Sequence, residues 1–159
     1  MRWRSRTGRK GAEVIEFGLV LIPMLGFTFL IMDIAWAIFG RGVLQNAVRE
    51  GVRYAVTSQT QTGMGQKDSV KSVVQDNALG LLAGSAGYAM IQVRFYTPDT
   101  FTDVSNVAGA NSGGNLVEVS VEGYPWLPLL PLLRSTGFTF TARSSDRMEA
   151  SPPAGAPPL

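Results

Sequence analysis

The sequence contains no cysteine and no histidine. Together these absences exclude a disulfide framework, thiolate or imidazole metal sites, a cysteine nucleophile and a histidine base. An oxidising exterior permits disulfides without requiring them, so the missing cysteines say little about compartment. A strong charge of one sign is also missing. The formal net charge is only +2, with 16% of residues charged. Five of the fourteen basic residues (Arg2, Arg4, Arg6, Arg9 and Lys10) lie in the first ten positions, leaving nine against twelve acidic residues beyond Gly11, a balance of −3. The basicity therefore belongs to the N-terminal segment. No later run resembles a phosphate-tracking surface, and nucleic acid is not an expected partner.

Catalytic patterns are missing too. Glu118 and Glu122 fall on one face of a predicted strand, about 13 Å apart at roughly 3.3 Å per residue. That spacing reads as a solvated stripe rather than an acid/base pair. Gly84, Gly87, Gly113 and Gly114 lack the spacing and the following helix of a phosphate loop. The expectation is a protein that is not an enzyme and needs no cofactor or metal. At 159 residues, the chain accommodates one domain plus an anchor rather than two sizeable cores.

What the sequence does contain is a long apolar run. From Phe17 to Phe39 it reads FGLVLIPMLGFTFLIMDIAWAIF, with Asp33 the only charge. As a helix this run rises about 35 Å, compared with a hydrocarbon core of roughly 30 Å. The basic cluster precedes it and only Arg41 lies near its far flank, so the positive-inside rule predicts a cytoplasmic N-terminus and an exterior C-terminal part. An alternative is a secretory signal cut at Ala35-Trp36-Ala37, giving a mature start near Ile38. The length of the run, Asp33 beside that site and the helical pattern continuing past it all weigh against removal.

Just before the run stands Arg9-Lys10-Gly11-Ala12-Glu13-Val14-Ile15-Glu16-Phe17. Cleavage after Gly11 creates a new N-terminus at Ala12 with Glu16 as its fifth residue. An ammonium and a carboxylate then sit at the head of a membrane helix. They can pair within one helix, where residues one and five are neighbours, or between adjacent copies, where such a pair fixes register rather than adding stability.

Beyond the run, Leu44, Val48, Val52 and Ala55 recur at helical spacing and mark one apolar face, with Gln45, Arg49 and Arg53 as a polar row beside it. One helix is predicted over 12–57, about 65–70 Å long, with its transmembrane part at 17–39 and a kink at Pro23. Asp33, costly inside a membrane, is expected to face other protein or to lie near the outer boundary. Arg41 is too distant for pairing within the helix, so Asp33 calls for another chain or water. Arg49, Glu50 and Arg53 form a charged strip that is either solvated or in contact with other subunits.

After a polar turn at 58–66, a second amphipathic helix is predicted over 67–82, ended by Gly84-Ser85-Ala86-Gly87. The period then changes to two. Ile91, Val93 and Phe95; Val117, Val119 and Val121; and Phe138 and Phe140 mark three half-buried strands of an antiparallel sheet. Residues 98–115 read as a long, mobile surface loop. Three prolines in Tyr124-Pro-Trp-Leu-Pro-Leu-Leu-Pro-Leu-Leu133 argue against regular structure there. This apolar segment either folds over the sheet or forms a docking patch for protein or membrane. Residues 150–159 read as a disordered, proline-rich tail. The resulting fold class is α+β: a basic leader (1–11), a long membrane-spanning helix, and an extracytoplasmic domain (58–149) with a second helix and about three strands.

The leader, the Gly11–Phe17 junction, the acidic residue in the apolar helix and the stretch Leu44-Gln45-Asn46-Ala47-Val48-Arg49-Glu50-Gly51-Val52-Arg53-Tyr54-Ala55 together resemble the TadE-like proteins of the tight-adherence (Tad) pilus. The resemblance covers about a third of the chain, residues 8 to 57. It implies a pilin-like fold and a pseudopilin role in initiating or tipping a filament. It also implies processing after Gly11 by a prepilin peptidase, with Gly11, Ala12, Glu16 and Phe17 as the processing residues. The implied partners are the inner membrane, other pilin-like subunits and the pilus assembly platform. Glu16, Pro23, Asp33, Arg49, Glu50 and Arg53 are the residues expected to pack between subunits. The chain is longer than the major subunits of that pilus system, which implies an accessory component. A rival reading is an anchored extracytoplasmic binding or sensor module whose helix is only a tether.

Overall fold

A computed structural model describes residues 9–128, 138–151 and 155–159. The first helix, α1, runs from Arg9 to Val56 over 48 residues and continues through Pro23 without a break. Two stretches of opposite character share it. Up to Phe39 its large apolar side chains are exposed, Val14 and Leu19 by about seven-tenths, because nothing else in the described molecule covers most of them. From Leu44 onward the predicted face (Leu44, Val48, Val52, Ala55), with Ala47, is buried.

That buried face packs on α2 (Gln66–Asn77) and on the sheet. The sheet is an antiparallel meander of β1 (Ile91–Tyr96), β2 (Leu116–Trp126) and β3 (Phe138–Arg147), with β2 in the centre. Alternation places Ile91, Val93 and Phe95 opposite Val121, Val119 and Val117 on the inner face, as period-two patterning requires. Val70 and Val74 of α2 and Leu82 after it complete one core with α1. On β3 the pattern is weaker: Ala142 is buried, whereas Phe138 is 53% exposed.

At Gly51, α1 packs closely against α2. A Cβ there would collide with Cγ2 of Val74 and lie 3.5 Å from Val119. A glycine that weakens an isolated helix is thus required by the packing of this one.

The structure departs from the sequence expectations at four places. First, α2 stops at Asn77 rather than residue 82, because Leu79 and Gly80 both take left-handed backbone conformations (φ +50° and +82°). The Gln75 amide donates to the Leu82 and Gly84 carbonyls across the turn. The glycines expected to terminate α2 begin and lie within a short helix of their own, α3 (Gly84–Ala89).

Second, β2 extends through Pro125 to Trp126 despite the prolines. Pairing with β1 ends at Val121, and Pro125 lies beyond it opposite Thr139 of β3. An open β1-side edge tolerates a residue without an N–H. Gly123 (φ +71°) accommodates the register shift between Val121 and Tyr124, a bulge of the kind glycine favours. The remainder of the 124–133 segment, from 129, lies outside the described residues.

Third, the 98–115 connection is tacked down. The Val104 N–H donates to Phe95 O, the Phe95 N–H donates to Ser105 Oγ, and Ala110 and Asn111 are buried.

Fourth, the tail expected to be disordered docks over its described residues 155–159. The Gln66 N–H, in the first turn of α2, donates to Pro158 O, and Asn111 Nδ2 donates to Pro157 O. Leu159 packs on the core. Gly65 offers α2 no side-chain cap, so a tail carbonyl satisfies one of the N–H groups that every helix start leaves open.

Candidate functional site

The N-terminal part of α1 presents its processing candidates in the open. Gly11, Ala12, Glu16 and Phe17 are all exposed and all helical. Ala12 and Glu16, four residues apart, share one helix face. Phe17 begins an apolar surface that continues to Phe39, and the most apolar window of α1 has no part buried. One helix in the described residues is long and apolar enough to cross a membrane. Pro23 is exposed on it.

Asp33 differs from its surroundings. It is 4% exposed while its neighbours Met32 and Ile34 are about half exposed, and its interactions lie within this chain. The sequence reading called for another chain or water at Asp33, whereas the structure buries this side chain against its own chain.

The charged strip divides. Gln45, from the same polar row, donates through Nε2 to the Arg143 carbonyl of β3 at 2.9 Å and is thereby used inside the monomer. Arg49 and Arg53 remain exposed and Glu50 is half-buried. Among the described residues, no ion pair joins Glu50 to Arg53.

The outer face of the sheet is a bridged polar ladder rather than a solvated stripe, a second correction. Arg94 on β1 lies opposite Glu118, 3.6 Å from it and 2.7 Å from Glu122. Arg143 on β3 reaches Glu118 at 3.9 Å, and Ser120 Oγ, fully buried, donates to Glu122. The hydrogen bond from Arg94 lowers the Glu122 pKa below the usual carboxylate value, and the same bond raises that of Arg94. The Arg94 guanidinium thus favours the ionised form of Glu122, which suits that carboxylate poorly to proton transfer. Elsewhere, the Ser105 hydroxyl holds Asp103 below its ordinary pKa. Burial, then the hydrogen bond to Asp68, pushes the Tyr88 phenol up to about 12. The latter contact, 2.9 Å long, ties α3 to α2.

One constellation was not anticipated from the sequence. Trp36 on α1 stacks with Phe39 at 5.4 Å and meets Trp126 of β2 at 6.4 Å, and Trp126 meets Phe140 of β3 at 5.2 Å. Trp126 also closes over Gly40, whose added Cβ would lie 3.8 Å from its ring. The signal was present in principle. Trp36 lies three residues inside the end of the apolar run, where aromatic residues favour the membrane–water boundary, but nothing in the sequence pairs it with Trp126.

These features define a class of protein: an α+β domain packed on the distal half of a long helix whose proximal half is a bare apolar stalk suited to single-pass anchoring. Residues 11–53 match the model of the TadE-like protein family. The match covers the stalk, the Gly51 crossing and the charged strip. No curated protein and no solved structure matches the chain.

Proposed function

We propose that this chain is a pseudopilin-like assembly component of a tight-adherence pilus, cleaved after Gly11 by a prepilin peptidase and helping to initiate or tip the filament. The observation that carries this reading is the continuity of α1. One unbroken helix bears the TadE-like segment, offers a bare apolar surface from Val14 to Phe39, and is clamped into the domain core from Leu44 onward. In the membrane the N-terminus is cytoplasmic, and lipid covers the bare surface. In a filament, helices of neighbouring subunits replace the lipid. Small and aromatic side chains then set the packing, and Arg49, Glu50 and Arg53 meet adjacent subunits outside the apolar zone. The carboxylate of Glu16 pairs with the Ala12 ammonium of the next subunit and fixes the axial register.

The test is direct. Mass spectrometry of the mature chain is expected to find Ala12 at its N-terminus. Glu16→Ala is expected to leave membrane insertion unchanged and to reduce piliation at least about tenfold, the scale of a lost charge-assisted contact of roughly 1.5 kcal/mol. A mature chain that begins at Met1, together with normal piliation in the Glu16 variant, would instead make the helix a plain tether.

A further inference from the structure

The membrane-side end of the sheet has a composition unlike its other end. β2 runs from Leu116, beside the Glu149–Val56 backbone contact at the far end of α1, towards Trp126 on Trp36. At the far end the paired strands carry Glu118, Asp146 and Arg147. At the near end, Tyr124 to Pro128 and Phe138 to Ala142 contain no Asp, Glu, Lys or Arg. Two large apolar side chains are left uncovered there: Leu127 is 72% exposed and Phe138, the register partner of Trp126, is 53% exposed.

The height of this end is set by the helix. Trp36 is inside the apolar run, and Trp126, which touches it, is paired across the sheet with Phe138. We propose that Leu127 and Phe138 rest in the headgroup layer of the leaflet on the domain's side. The protein then grips the bilayer at two points, the spanning helix and the uncharged strand segments 124–128 and 138–142. Lipid is the occupant because the patch is continuous with the spanning surface and lies at its boundary level. An adjacent Trp, Tyr and Phe set without charge is the composition that partitions into that layer. The inference rests on the membrane-anchoring part of the proposed function but not on cleavage or filament entry.

The chain lacks cysteine, so single replacements give unique labelling sites. Spin labels are placed at Leu127→Cys, Phe138→Cys, Ile31→Cys in the span, and Phe101→Cys. Phe101 is 70% exposed in the connection beyond the far end of β1. The full chain is reconstituted in vesicles of phosphatidylethanolamine and phosphatidylglycerol. Collisions with oxygen, which enters lipid, are compared with collisions with a water-soluble nickel chelate. Sites 127 and 138 are expected to show an oxygen-to-nickel ratio severalfold above that of site 101. Their depth should be about 5–10 Å into the headgroup–acyl boundary, as for interfacial amphipathic segments. If 127 and 138 behave like 101 while 31 reads as lipid, the domain stands clear of the membrane and the inference is overturned. Shielding of 127 and 138 from both reagents also overturns it, because protein then covers the patch. A water-exposed site 31 defeats the anchoring reading itself.

Discussion

Gly51 shows how a single residue ties the family segment to the fold. It lies inside the matched stretch 11–53, and the absence of its side chain allows Val74 of α2 to seat against α1. Gly51→Ala recovers up to about 1 kcal/mol of helix propensity but forces a β-branched neighbour to move, which costs about 1–3 kcal/mol. The expected net result is destabilisation by about 1 kcal/mol, and Gly51→Leu should cost about 3 kcal/mol or more. Denaturant unfolding of the full chain in detergent measures both, and a more stable Gly51→Leu variant would show that the helices do not approach at this point. Read locally, a glycine inside a helix is only a weak point. The role of Gly51 depended on a neighbour twenty-three positions away and so could not be read locally.

At the scale of elements, the outer face of the sheet carries the pH dependence. The pKa of Glu122 is lower in the fold than its ordinary value of 4.5, so its stabilising contribution is present above that value and lost as pH falls through the lowered one. Its side chain is 38% exposed, and solvent screening keeps the contribution below about 1 kcal/mol. Glu122→Gln is therefore expected to be less stable than the wild type at neutral pH, with the gap closing as the pH drops below about 4. Denaturation curves across that range check the sign, and a gap that persists in acid would assign the loss to packing. Alternation revealed the two faces of each strand, including Glu118 and Glu122 on one side. It could not reveal that Arg94 and Arg143 sit across from them, because cross-strand partners follow from register and register is a tertiary property.

At the scale of the whole molecule, the end of the described chain closes the domain. The buried Asn111 amide donates to both Gln66 Oε1 and Pro157 O, joining the 98–115 connection, the start of α2 and the tail. Asn111→Ala removes both bonds and leaves Gln66 Oε1 without this buried donor, at an expected cost of about 2 kcal/mol. Amide exchange at Gln66, whose N–H is held by Pro158 O, is expected to accelerate with it. Unchanged protection there would separate the tail from Asn111. A composition of Pro, Ala and Gly reads as disordered because it has few side chains to bury. Backbone carbonyls need none, and these dock on donors the rest of the fold supplies.

By itself the sequence determined the long helix, the length and bareness of its apolar half, the buried face from Leu44 to Ala55, the three strands with their inner residues, and the TadE-like character of the stalk. All of these are periodic or local properties that persist whatever the chain later packs against. Only the tertiary structure decided that Asp33 is sheltered by its own chain, that Gly51 is a crossing point, that β2 runs through Pro125, and that Trp126 reaches Trp36 at the boundary of the apolar run. Each depends on the direction and register in which distant segments meet, and in one dimension those segments carry no mark of one another.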